Sequence, residues 1–143
     1  MTTAADMLID DLEVNLVRLA HSLLRAAKPE LSRTSTSVLA LLRDDGPQRI
    51  TELAAHEAVA QPSMTSLVSR LERDGLVERR HDPGDRRAVL VAITAEGERV
   101  LIDRRRARAA ALAARLDRLD DDERRALAAA VPALQKLNSE EDR

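Results

Sequence analysis

The hydrophobic pattern changes its period at Gly75, and that change limits what the chain can fold into. Before it, Met64, Leu67, Val68 and Leu71 recur at helical spacing, the stripe of an amphipathic helix. After it, Leu76-Val77-Glu78-Arg79 and Val89-Leu90-Val91-Ala92-Ile93 read as two strands. Asp82-Pro83-Gly84-Asp85 between them carries the chemistry of a turn. A helix running directly into a hairpin needs other helices to cover its stripe, and the flanks supply them.

Upstream, Pro62 suits the first turn of the stripe-bearing helix, where the amide it lacks would be unpaired anyway. Ile50 belongs to a brief extended pair, and Thr51 is expected to cap a short helix behind it. A longer helix precedes these, capped by Ser32 or Thr34, with Val38, Leu39, Leu41 and Leu42 facing the core and a stop at Asp44-Asp45-Gly46-Pro47. The first helix runs from about Asp6 to Ala27, with Leu8, Leu12, Leu16, Leu19 and Leu23 on one face and Pro29 ending it.

Downstream, Thr94 with Glu96 and Glu98 opens a long helix to about Leu116, in whose first turn Gly97 is out of place. Asp120 with Glu123 forms a capping-box start to a last helix bearing Leu127, Val131, Leu134 and Leu137, with a kink expected near Ala128 from Pro132.

Two helices joined by a short turn, the second followed at once by a hairpin, make the winged form of the helix-turn-helix, whose second helix enters the major groove of DNA. The expected fold class is mainly α with a small β wing. A winged helix-turn-helix lobe over 32–94 is flanked by N- and C-terminal dimerisation helices over 1–31 and 113–143, and 95–112 connects the two.

Opposite its stripe, the second helix of this motif carries Pro62, Ser63, Thr65, Ser66, Ser69, Arg70 and Arg73. Small hydroxyl side chains and arginines let a helix lie close against base edges and phosphates. On the helix alone, a merely solvated face fits equally well. From Gln61 to Thr94 there are six arginines against five carboxylates, which is weak electrostatic support for a chain whose net charge is −2.

Other function classes find little in the sequence. There is no cysteine, and His21, His56 and His81 lack ligand spacing, so neither a metal nor a cofactor is expected. No nucleophile-base pair or phosphate loop suggests an enzyme. No apolar run reaches the ~18 residues of a membrane span, and the acidic N-terminus is unlike a secretory signal. A cytoplasmic location is expected. The run Arg104-Arg105-Arg106-Ala107-Arg108 winds around more than one helical turn and reads as a solvated, salt-bridged surface.

The stretch ITELAAHEAVAQPSMTSLVSRLERDGLVERRHDPGDRRAVLVAITAEGERVL resembles the MarR family of bacterial transcriptional regulators, and the flanking helices match the family's layout. The most specific residues are Leu71, Gly75-Leu76-Val77, Asp82-Pro83, Asp85-Arg86-Arg87 and Ile93-Thr94. The resemblance implies a repressor that binds double-stranded DNA at a palindromic operator as a homodimer and is released by a small anionic or phenolic effector. It implies that Ser63 to Arg70 read the major groove, that Arg86 meets phosphate, and that Arg87 reaches the minor groove with its side chain held by Asp85.

The dimer seam would be Leu8, Leu12, Leu16, Leu127, Val131, Leu134 and Leu137, the alternative being an intramolecular bundle of the same helices. With no aromatic residue, an effector would rest on aliphatic walls and cations, and His21, Arg25 and Thr36 are the candidate polar groups near the first helix junction. Two residues depart from the family pattern: Thr36 replaces a large apolar side chain, and Ala60 replaces a capping hydroxyl at a cost of about 1 kcal/mol. Alternatives to the specific repressor are an architectural or protein-binding winged helix without sequence preference, and a metal-sensing winged-helix repressor.

Overall fold

The computed structural model describes residues 3–26, 31–85 and 87–139. The elements run α1 (Ala4–Ala26), α2 (Arg33–Asp45), β1 (Gln48–Arg49), α3 (Ile50–His56), α4 (Gln61–Arg73), β2 (Val77–His81), β3 (Val89–Ile93), α5 (Ala95–Leu116) and α6 (Asp121–Asn138). This is the mainly helical fold with a β wing that the change of period at Gly75 indicates.

The helix starts follow the side chains that satisfy their free amides. Thr3 and Asp6 bond reciprocally, the Asp6 amide donating to Thr3 Oγ1 at 3.2 Å and the Thr3 amide to Asp6 Oδ2 at 2.8 Å, so α1 begins slightly earlier than Asp6. Ser32, rather than Thr34, caps α2 by accepting from the Ser35 amide at 3.1 Å. Thr94 accepts from the Gly97 amide at 3.1 Å at the start of α5, and Asp120 and Glu123 close a capping box on α6. The stop expected at Pro29 lies outside the described residues. Helix α6 continues through Pro132 to Asn138.

The start of α3 differs from expectation. Its cap is Arg49, not Thr51, and the opening amide is satisfied by Glu52, whose Oε2 accepts from the Arg49 backbone N–H at 2.7 Å. The extended pair is Gln48–Arg49, because both residues are held in the sheet opposite Val91 and Leu90.

Strand β3 lies between β1 and β2, antiparallel to both, with Arg79 opposite Val91 and His81 opposite Val89. The core sits beneath this sheet. Val38, Leu39 and Leu42 of α2, Leu53 of α3, Met64, Val68 and Leu71 of α4, and Val77 and Val91 of the sheet are all nearly inaccessible to solvent. Each such side chain contributes roughly 1.5–3 kcal/mol by burial, so the lobe is held by the stripes read from the sequence.

Gly97 has a steric explanation. A Cβ there would stand 2.3 Å from the backbone oxygen of Leu76 and 2.7 Å from Ile93 Cγ1. The first turn of α5 therefore packs directly on the chain between α4 and β2. Thr94 reinforces the junction, its hydroxyl donating to Gly75 O at 2.6 Å and its amide to Leu76 O at 3.0 Å.

The terminal helices contrast with this lobe. Neither α1 nor α6 has a buried residue within the chain. Leu8, Leu12, Leu16, Leu127, Val131, Leu134 and Leu137 are all exposed, which excludes a bundle that buries them inside one chain. Helix α1 is fastened to α5 by Arg115, whose guanidinium donates to Ser22 Oγ.

Candidate nucleic-acid interface

The connection from α3 to α4 runs through Glu57, Ala58, Val59 and Ala60. Ala58 takes a left-handed backbone with φ of 51°, uncommon for a residue with a Cβ. The Val59 amide closes the turn on Ala54 O at 3.0 Å, and the Glu57 carboxylate accepts from the Ser37 hydroxyl at 2.5 Å, tying the turn to α2. Helix α4 leaves this turn with no side-chain cap from Ala60 and with Pro62 in its first turn.

Because Met64, Leu67, Val68 and Leu71 face the core, Pro62, Ser63, Thr65, Ser66, Ser69, Arg70 and Arg73 are all exposed. Their local bonds separate them. Thr65 Oγ1 and Ser66 Oγ donate at 3.0 Å to the carbonyls of Gln61 and Pro62, leaving acceptor lone pairs for an incoming group. Ser69 Oγ accepts from Arg79 Nη2 of β2 at 3.1 Å, and the same guanidinium pairs with Glu72. Arg73 stands 3.9 Å from Asp74, whereas Arg70 is exposed and in no ion pair among the described residues.

Hydrogen bonds fix the wing tip between β2 and β3. The Asp82 amide donates to Ala88 O at 3.0 Å, the Ala88 amide to Asp85 O at 2.9 Å, and the Gly84 amide to Asp82 Oδ1 at 2.8 Å. The other carboxylate oxygen of Asp82 takes Arg49 Nη2 at 3.1 Å. The Gly84 amide first, and then the Arg49 guanidinium, hold the Asp82 carboxyl below the usual aspartate range. Arg80 pairs with Glu78 along β2.

Asp85 does not act on Arg87 in the way expected. Its Oδ1 accepts from the Arg87 backbone amide at 3.0 Å, and no ion pair joins the two side chains among the described residues. A short carboxylate reaches an amide two residues on more readily than the end of a long arginine, forming an Asx turn. Asp85 therefore shapes the backbone that carries Arg87, whose side chain is exposed. Arg86 lies outside the described residues.

The candidate effector residues lie on α1 and α2. His21 and Arg25 are exposed on α1, and the Thr36 hydroxyl donates to Ser32 O of its own helix at 3.0 Å. A cleft of about 370 Å³ lies between Leu31 and α5, lined by none of these three residues. Leu31, Val100 and Ala107 give it apolar walls, and Glu96, Arg99 and Asp103 are among its charged groups. Arg99 is paired with both Glu96 and Asp103. Among the described residues, no three histidine, aspartate or glutamate side chains gather to hold a metal, and no helix is long and apolar enough to cross a membrane.

Sequence reasoning missed Arg49 and Arg79 as partners of this surface. Their partners lie 33 and seven residues away, across elements, where no local spacing marks them. The Asx geometry at Asp82 was readable from the Asp-Pro-Gly turn chemistry.

Residues 31–89 match the sequence profile of the MarR family. The HTH-type transcriptional repressor NicR of Pseudomonas putida is 39% identical over 77 residues, 54% of this chain and 49% of that protein, so the alignment spans about half its length. An uncharacterized HTH-type transcriptional regulator of Mycobacterium leprae is 34% identical over 100 residues, 69% of this chain and 70% of that protein. The solved structure of a MarR family protein from Bacillus stearothermophilus superposes with a TM-score of 0.75 at 25% identity, covering 96% of this chain and 98% of that one.

Proposed function

The chain belongs to the MarR family of transcriptional regulators rather than to an enzyme family, and from that premise we propose that it is a repressor that binds a palindromic DNA operator as a homodimer. The observation that carries this reading is the exposed face of α4. Its hydroxyls and Arg70, which is in no ion pair among the described residues, lie opposite a buried stripe, on a helix followed by a wing that presents Arg87. Ser63, Thr65, Ser66 and Arg70 are the proposed major-groove readers, and Arg87 is the proposed minor-groove contact.

The exposed leucines of α1 and α6 support the homodimer. A second copy is the partner whose surface carries the same stripes, and a two-fold axis makes the contact self-complementary. Two lobes so related would read half-sites roughly 34–36 Å apart. A cytoplasmic location is part of the same proposal.

The cleft beside α5 is the proposed effector site, in place of His21, Arg25 and Thr36. Its lining joins Leu31, just ahead of the DNA-binding lobe, to the helix leading to the dimer elements. A small anion or phenol entering it would rest on Leu31 and Val100 and compete with Glu96 and Asp103 for Arg99.

Titration with the DNA upstream of the protein's own gene, against a scrambled competitor at one salt concentration, tests the main reading. Preference for the upstream fragment is expected. Affinity independent of sequence and steep in salt would instead make this an architectural winged helix.

A further inference from the structure

We infer that Arg49 is a positioning residue that sets where the wing meets DNA, acting through Asp82 rather than touching DNA itself. The inference rests on the DNA-binding reading above and adds a residue to it.

Arg49 is held at its backbone from two sides. It lies opposite Leu90 in the sheet, and its amide is bonded to Glu52 in the first turn of α3. From that fixed point its guanidinium crosses to Asp82, where β2 ends and the tip begins. Asp82 uses its remaining oxygen on the Gly84 amide, and its carbonyl accepts from the Asp85 amide at 3.3 Å. Asp85 in turn binds the Arg87 amide. A continuous series of bonds thus leads from the first helix of the helix-turn-helix to the backbone of the arginine at the wing tip.

The tip's own bonds hold its turn together, but they do not tie it to the lobe, and it projects beyond the last strand pair, His81 with Val89. A tip that swings must be ordered when it enters a groove, and the cost appears as lost affinity. Arg49 prevents that swing at the side facing α3, while Arg79 ties the middle of β2 to α4 through Glu72 and Ser69.

A competing account makes Arg49 a phosphate contact that Asp82 partly neutralises. The two accounts predict opposite signs for one substitution. Asp82→Asn keeps an oxygen for the Gly84 amide and replaces the charged oxygen that holds Arg49 with an NH2 group. If Arg49 binds phosphate, this change strengthens DNA binding and steepens its salt dependence. If Arg49 positions the wing, binding weakens and the salt slope stays the same.

The experiment is a fluorescence-anisotropy titration of the full chain with the DNA fragment upstream of its own gene at several salt concentrations, paired with hydroxyl-radical footprinting. Asp82→Asn and Arg49→Met are each expected to weaken binding roughly two- to tenfold, the range for ordering one mobile element on binding. The double variant should be no weaker than the weaker single one, and Arg49→Lys should recover part of the loss. Footprints should lose protection at the wing-contacted minor groove and keep it at the recognition helix, with melting temperature unchanged. Should Arg49→Met fail to melt cooperatively, Arg49→Lys with Asp82→Asn gives the same comparison.

Tighter binding by Asp82→Asn, or variants indistinguishable from the wild type, would overturn the inference alone. Failure of the wild-type chain to prefer the upstream fragment would overturn the DNA-binding reading, and the inference with it.

Discussion

Arg49 Nη2 lies 3.1 Å from Asp82 Oδ2 across 33 residues of sequence, joining the start of α3 to the start of the wing tip. The pair is partly solvated, with the two side chains 45% and 21% exposed. Its worth to global stability is therefore small. What it supplies is geometry at a hairpin end that the sheet alone does not hold.

The carboxyl of Asp82 titrates below the usual aspartate range, chiefly because the Gly84 amide bonds its ionised form and secondarily because Arg49 does. With the folded value depressed, the contribution is complete above the unfolded value of about 3.9 and is lost as pH falls through the lower folded value. Carbon-detected NMR titration of Asp82 should show this low midpoint. Arg49→Met should raise it without restoring the unfolded value, and a midpoint indifferent to Arg49→Met would mean that the pair does not persist in solution.

Asp85→Asn should bind DNA much as the wild type does, because asparagine offers the same oxygen to the Arg87 amide. Asp85→Ala should weaken binding by about 0.5–1.5 kcal/mol, the cost of ordering a freed segment. Equal losses for Asn and Ala would show that the charge of Asp85, not its turn, is what counts.

On the recognition helix, Arg70→Ala should weaken binding and lower the salt slope by about one unit per arm. Ser66→Ala should alter base preference, whereas Ser69→Ala should do so less, because Ser69 already accepts from Arg79. Footprinting of all three on one operator series decides. If Ser69 outweighs Ser66, the face of α4 that meets DNA is rotated toward the wing.

Leu16→Asp with Leu134→Asp should leave a folded lobe that light scattering finds at half the wild-type mass. Both leucines are exposed in the single chain, so the charges become costly only where a second copy would cover them. A double variant that keeps full dimer mass would place the seam elsewhere.

Two backbone positions should respond in opposite directions to urea, followed by far-ultraviolet circular dichroism. Ala58→Gly should stabilise by about 1 kcal/mol, since glycine adopts positive φ without the Cβ penalty. Gly97→Ala should destabilise by about 1–3 kcal/mol, since its methyl would meet the Leu76 carbonyl, which cannot turn aside.

The parts of the fold set by periodicity and end chemistry were legible in the sequence. The buried stripe of α4, the hairpin about Asp82-Pro83-Gly84 and the capping box at Asp120 and Glu123 each depend on residues within a few positions of one another. The start of α3 was misread because Thr51 has the usual capping side chain, while the reciprocal bond from Glu52 serves Arg49. At the site, exposed residues of α4 could be named from helical geometry. Which were already occupied could not, because the partner of Ser69 comes from β2 and that of Asp82 from β1. The cleft could not be read from the sequence for a related reason: it forms where Leu31 meets α5, far along the chain.

No residue of α1 or α6 is fully buried within the chain, so the proposed homodimer would link the protein's survival to its abundance. Under the homodimer proposal, a copy that has not paired keeps the exposed leucines of both helices in water, and pairing stabilises the folded chain by mass action. The paired fraction would then rise in proportion to concentration when copies are scarce. A paired population diluted by growth is depleted faster than dilution alone would deplete it.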